Sequence, residues 1–173
     1  TPDGLIALSP LIEKTLGEIQ LGENPLVLVA EHIEKPGNLG TILRTADATG
    51  VDAVIVCDPN TDLNNPNVIR ASIGSLFFLP VAKSSMEETF AWLNNNHIQT
   101  IAAVPGANAM YTDMDMKGGI AIIVGAEDKG LSKTAMQTAN LQVGIPMLGR
   151  NDSLNVSTAT AVLLYEALRQ RRE

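Results

Sequence analysis

Short runs of apolar residues punctuate the chain at positions 26–30, 53–56, 100–104, 120–124 and 141–145. They are four or five residues long, mostly Val, Ile, Leu and Ala, with turn-forming residues close by. Continuous rather than alternating hydrophobicity of this length predicts strands buried on both faces. Between the runs the apolar period changes. Leu39, Ile42, Leu43 and Ala46 recur at helical spacing after the turn chemistry of Pro36-Gly37-Asn38, and Gly50 follows, which predicts a helix over 39–49. Residues 62–67 are polar and loop-like, and 68–72 read as a short helix. The stretch 77–82 reads as extended, with Pro80 setting it apart from an ordinary central strand. Ser84, with Glu87 three residues on, predicts a capped helix reaching residue 96. Ser132 predicts a second cap, for a helix ending near residue 140. The last helix spans 155–172, with Val156, Ala159, Val162, Leu163 and Tyr165 on its apolar stripe and Arg169, Arg171 and Arg172 in the last turn, where the helix dipole favours cations.

Strands alternating with helices imply an α/β domain, a mostly parallel sheet flanked by helices. Ligands of such sheets bind beyond the carboxyl ends of the strands. No repeat, low-complexity tract or linker divides the chain, and 173 residues suffice for one domain with a substantial core.

Composition narrows the picture. Apolar residues make up 45% and aromatics 3%, so Val, Ile, Leu and Ala must build the core. No apolar run approaches the roughly 18 residues of a membrane span, and the opening Thr1-Pro2-Asp3-Gly4 lacks the pattern of a signal peptide. The single Cys57 follows a strand-like run and reads as a small buried hydrophobe, which makes a reducing cytoplasm the expected compartment. A net charge of −7 speaks against nucleic acid as a partner of the whole surface. Binding is local, however, and Lys35, Arg44, Arg70, Lys129, Lys133 and Arg150 fall in or near the loops that follow strands.

Glycine-rich phosphate loops of the dinucleotide-binding or Walker type are absent, as is any Ser-His-Asp or nucleophile-elbow pattern. His32 and His97 lie far apart with no cysteine cluster, so no metal is expected; His32 reads as a structural histidine close to a loop. Taken singly, other polar residues have plain readings too. Arg44 would be a solvated charge, Asn38 an N-cap, Glu127 a loop carboxylate paired with Lys129, and Asn155 the start of the last helix. Ile145 and Leu154 would be core.

Three separated segments change that reading when taken together. They are Asn38-Leu39-Gly40-Thr41-Ile42-Leu43-Arg44-Thr45-Ala46, Val124-Gly125-Ala126-Glu127-Asp128-Lys129-Gly130-Leu131-Ser132, and Ile145-Pro146-Met147 running on to Ser153-Leu154-Asn155-Val156-Ser157. In this order and at these separations they resemble the signature motifs of the SpoU/TrmH family of RNA ribose 2′-O-methyltransferases, of the SPOUT superfamily. The resemblance implies a deep trefoil knot in the C-terminal part, a homodimer, and S-adenosylmethionine as cofactor. Matched position by position, Ala103, Gly125, Ile145 and Leu154 would contact the cofactor. Arg44, Asn38, Glu127, Asn155 and Ser153 would form the catalytic set. A guanidinium is a poor general base; anchoring a phosphate and stabilising a developing alkoxide suit Arg44 better. The segment Arg70-Ala71-Ser72-Ile73-Gly74-Ser75 resembles a family stretch in which Arg70 and Ser72, with Arg44, would contact RNA. The scarcity of aromatics leaves no stacking platform to be expected, with Trp92 assigned to a helix core and Phe77 and Phe78 to the approach of a strand.

The implied activity is methyl transfer to a ribose 2′-hydroxyl of RNA. Ribosomal RNA is favoured over transfer RNA, because the Thr-Pro-Asp-Gly opening resembles the branch with an added N-terminal domain. On that reading residues 1–22 are a linker following an RNA-binding domain, and 23–173 form the methyltransferase domain. Two rivals stand beside it. One is a non-catalytic RNA-binding or dimerisation module that keeps the fold. The other is a nucleotide-binding α/β protein unrelated to RNA, which suits the acidic charge but lacks a phosphate loop.

Overall fold

The computed structural model describes Gly4, Leu8 and residues 13–172; Thr1-Pro2-Asp3 lies outside the described residues. Every apolar run forms a strand. These are β1 (Leu26–Glu31), β2 (Ala53–Cys57), β4 (Gln99–Ala103), β6 (Ile120–Val124) and β7 (Leu141–Gly144). Two more strands complete the sheet, β3 (Val81–Ser84) and the two-residue β5 (Ala109–Met110), for which the sequence carries no run. The seven strands lie in the order β3-β2-β1-β6-β4-β7-β5, and every pairing is parallel. β6 holds the centre, with Ile120 facing Leu26 of β1 on one side and Gln99 of β4 on the other.

Helices cover both faces, which is why the central strands are buried throughout. On one face lie α1 (Pro36–Thr49), α2 (Pro66–Ser72) and α5 (Val156–Arg172), whose Leu39, Leu43, Val68, Leu163 and Leu164 pack with Leu28, Val54 and Ile122. On the other lie α3 (Met86–Asn95) and α4 (Lys133–Thr138), whose Met86, Leu93 and Ala135 pack with Val29, Ile55 and Ile123.

The helix starts differ from the sequence reading in instructive ways. α1 begins at Pro36, not Leu39, because proline at the first helical position gives up an N–H that would be unpaired anyway. Asn38 therefore sits inside the first turn, and Lys35 holds the N-cap position without capping through its side chain. In α3 the capping box is one residue later than expected, with Ser85 accepting from the Glu88 N–H and Glu88 accepting from the Ser85 N–H. Residues 77–82 are not continuously extended: Ser75–Phe77 is a 3-10 turn, and only at Val81 does β3 begin. Part of the expected linker is joined to the fold. The Lys14 N–H donates to the Val81 carbonyl at 2.8 Å, and Ile19 packs with Ala53 and Ala82.

The last helix is anchored by its C-terminal turn. The Arg171 guanidinium donates to the carbonyls of Asn24, Met116 and Gly118 at 2.6, 2.9 and 2.6 Å. Gln170 exchanges hydrogen bonds with the Met116 N–H and the Met114 carbonyl. These contacts tie the end of α5 to the segments that lead into β1 and β6. Among the described residues, no helix is long and apolar enough to cross a membrane, and no three His, Cys, Asp or Glu side chains gather as a metal site would require.

Candidate active site

The loops after β1, β4, β6 and β7 meet at the carboxyl edge of the sheet. There those after β4, β6 and β7 line a cavity of about 580 Å³, with Ala103, Gly125, Ile145 and Leu154 all in its wall. That volume lies within the range of small-molecule sites, about 300–1,000 Å³. Val124, Leu131, Met136 and Val143 add apolar surface, and Glu127, Asp152 and Ser153 add polar atoms. Met136 and Met147 line it too; Met136 lies outside the three motif segments, and a methionine in a helix carries no signal of facing a cavity.

Gly125 is obligatory for the shape of this wall. A Cβ built on it would lie 2.5 Å from the Gly130 carbonyl carbon and oxygen and 2.6 Å from the Leu131 nitrogen. Residues 125–132 thus fold back on themselves, held by the Gly130 N–H on the Ala126 carbonyl at 2.9 Å, with Gly130 itself at φ 65°. The far end is pinned to β1: the Ser132 N–H donates to Glu31 Oε2 at 2.8 Å. Glu31 is 1% exposed, and its second oxygen has no hydrogen-bond partner.

A second cavity of about 220 Å³ adjoins the first and shares Ala126, Glu127, Asp128 and Val156 with it. Lys35 and Asn38 line its other side. Glu127 therefore stands on the partition. Its Oε1 accepts from Asn155 Nδ2, which also donates to Asn38 Oδ1 at 3.3 Å, and its Oε2 accepts from Lys35 Nζ. Asn38, Glu127 and Asn155, up to 117 residues apart, form one polar cluster. Asn155 also does the plainer job: its Oδ1 accepts from the Ser157 N–H at 3.0 Å and so caps α5. The cation on Glu127 is Lys35, whereas Lys129 faces Glu34 at 3.8 Å. The Lys35 ammonium is the main reason that the Glu127 carboxyl is held below its ordinary range, and Glu127 in turn raises Lys35.

The remaining predicted residues stand apart. Ser153 lines the larger cavity, but its hydroxyl donates to Asp152 at 3.3 Å rather than to the cluster. Arg44 is exposed on α1 and lines neither cavity within one chain. Arg70 is exposed and donates to Asn67 Oδ1 at 3.3 Å. Ser72 corrects the expectation of an RNA contact: it is fully buried where α2 meets Gly40 of α1, and its hydroxyl donates to the Ile69 carbonyl at 2.9 Å. His32 is half-buried at φ 53°, its ring nitrogen 2.9 Å from the Asp58 carbonyl. Cys57 is buried against Thr89, and burial pushes its thiol up to about 12, which suits a core residue and not a nucleophile.

Known proteins share this fold. An RNA 2′-O ribose methyltransferase of known structure superposes with a TM-score of 0.85 at 45% identity, over 93% of this chain and 62% of that one. The SpoU methyltransferase AviRb from Streptomyces viridochromogenes, in complex with the cofactor AdoMet, superposes at 0.88 with 31% identity, over 95% of this chain and 63% of that one. In sequence, the 23S rRNA (guanosine-2′-O-)-methyltransferase RlmB of Pseudomonas putida is 35% identical over 98% of this chain and 66% of its own length. An uncharacterized tRNA/rRNA methyltransferase of Synechocystis is 38% identical over 98% of this chain and 62% of its own. The chain thus spans about three fifths of the length of the relatives that it matches. The sequence model of the SpoU rRNA methylase family matches residues 25–165, and the chain belongs to that family.

Proposed function

We propose that this domain transfers a methyl group from S-adenosylmethionine to a ribose 2′-hydroxyl of RNA. The observation that carries the proposal is the convergence of Ala103, Gly125, Ile145 and Leu154 in one cavity, with the Asn38–Glu127–Asn155 cluster at its edge. The residues fit such a cofactor. Ile145, Leu154 and Val143 offer apolar walls for a flat ring, and the glycine at 125 lets backbone approach closely. S-adenosylmethionine supplies an electrophilic methyl group on a sulfonium. The protein has to hold the ribose in line and ease the loss of its proton. Asn38 and Asn155 are placed to orient polar groups of the substrate; Glu127 holds the Asn155 amide, which in turn holds Asn38. Arg44 anchors a phosphate and stabilises the alkoxide that develops.

Because Arg44 lies outside both cavities of its own chain, the reading includes a homodimer in which this side chain serves the partner's site. It also includes a deep trefoil knot in the C-terminal part, a cytoplasmic location, and ribosomal RNA as the substrate. The name of the RlmB relative supports the last point. The relatives' greater length leaves room for a further RNA-binding unit, which residues 1–22 would join to the methyltransferase domain at 23–173.

Calorimetric titration with S-adenosylmethionine tests the reading, on the wild type and on Leu154→Arg, which puts a guanidinium into the cavity wall. Micromolar binding lost in the variant is the expected result. A folded wild type that binds no cofactor would overturn the reading in favour of an RNA-binding module.

A further inference from the structure

Ile73, Phe77 and Phe78 are 68%, 46% and 83% exposed, three large apolar side chains within six residues. The local backbone puts them there. Phe77 and Phe78 donate their N–H groups to Gly74 and Ser75, in a turn that buries Leu76 and Leu79 and leaves the two rings outside. Ile73 ends α2 at φ 51°, ψ 37°, a left-handed conformation that glycine or asparagine normally takes and that is an outlier for a β-branched residue. A strained backbone that holds an apolar side chain in solvent is not explained by folding.

The position of this shelf is informative. On α1, Gly40, Arg44 and Asp47 share one face. A Cβ on Gly40 would meet Ala71 at 2.5 Å and the Ser72 nitrogen at 2.9 Å, and Asp47 accepts from the Ser75 hydroxyl at 3.0 Å. Arg44 lies between these two anchor points, so the Ile73–Gly74 turn passes beside it. Arg70, one turn before Ile73, is exposed as well. Two arginines, one on the neighbouring helix and one three residues before Ile73, thus stand near the apolar shelf, while the carboxylate of Asp47 is engaged by Ser75.

We propose that residues 73–78 form a base-stacking shelf that takes an unpaired nucleobase of the RNA, next to the nucleotide whose phosphate Arg44 holds. This rests on the RNA reading above and adds a contact to it. Aromatic faces flanked by arginines are how proteins grip single-stranded nucleic acid, the rings taking bases and the cations phosphates. A second copy of the chain is the poorer occupant. Three side chains fall far short of the roughly 800 Å² per partner that a stable interface needs.

The test uses the full chain and a single-stranded oligoribonucleotide carrying 2-aminopurine, whose fluorescence falls when it stacks. The wild type quenches it. Phe78→Ala binds about tenfold more weakly, within the roughly 5- to 150-fold that stacking on an aromatic ring is worth, and loses the quench. Phe78→Trp retains both, and calorimetric cofactor binding is the same in all three proteins. Equal affinity and quench in Phe78→Ala would overturn the shelf. So would a shift of that variant from dimer to monomer in sedimentation, which would make the patch a protein interface. A wild type that binds cofactor but never quenches the probe refutes the shelf alone; one that binds no cofactor refutes the methyltransferase reading and the shelf with it.

Discussion

Replacing Gly125 by alanine tests whether the wall of the larger cavity is as rigid as its contacts indicate. The new methyl would sit 2.5–2.6 Å from three backbone atoms of Gly130 and Leu131, about 1 Å inside ordinary van der Waals contact. None of the three belongs to a side chain that can swing away. The Gly130 N–H is bonded to Ala126, and the segment is pinned at Ser132 by Glu31. Overpacking of a tight region costs about 1–3 kcal/mol, which for a chain of this size lowers the melting temperature by about 2–12 °C. If the loop gives way instead, the strain appears in the cavity, and S-adenosylmethionine affinity falls by about 10- to 100-fold. Thermal denaturation and calorimetry read the two costs separately. Gly37→Ala is the control: it lies in α1 with nothing within 4 Å of its Cβ position, so it gains a few tenths of a kcal/mol to about 1 kcal/mol and leaves cofactor binding alone. A Gly125→Ala protein with unchanged melting temperature and unchanged affinity would refute the packing argument.

Three further outcomes follow from the same region. The Glu127 carboxyl is depressed chiefly by Lys35, so it stays ionised as pH falls below the ordinary carboxylate value of about 4.3 and protonates only at its own lower pKa. Lys35→Met removes that cation and should move the acid limb of methyl transfer to higher pH, while Lys35→Arg restores it; coincident pH–rate profiles for wild type and Lys35→Met would count against the pairing. Glu31→Ala strands the Ser132 N–H and should cost about 1–3 kcal/mol in urea denaturation, whereas Glu31→Gln keeps an acceptor for it, and a glutamine variant as unstable as the alanine one would contradict this. Cys57, buried and with its thiol pushed up to about 12, should resist iodoacetamide at pH 8 in the folded protein and react on unfolding, as mass spectrometry would show.

The runs of β1, β2 and β6 were legible because strands buried on both faces need no partner information to stand out. Boundaries were harder where local signals are ambiguous. Pro36-Gly37 reads as a turn although proline also opens helices, and the tandem pairs Ser84-Ser85 and Glu87-Glu88 allow the capping box two registers. Phe77-Phe78-Leu79 looks like a strand core in one dimension, and only the 3-10 turn decides that the leucine goes in and the rings stay out. The cluster of Asn38, Glu127 and Asn155 was readable only through family resemblance, since no period links residues 117 apart. The Lys35–Glu127 pair, 92 residues apart, was missed for the same reason, and a sequence neighbour, Lys129, was offered in its place.

The central position of β6 sets an order of events during synthesis. β1, β2 and β3 can pair as soon as they are made, but β4 touches that half of the sheet only through β6. Until residues 120–124 leave the ribosome, the inner edge of β1 and the edge of β4 remain bare, as open templates for strands of other chains. Their closure joins segments almost a hundred residues apart, and such contacts form slowly. The interval between emergence of β4 and insertion of β6 is therefore when this chain is most exposed to aggregation, and when a chaperone would have most to protect.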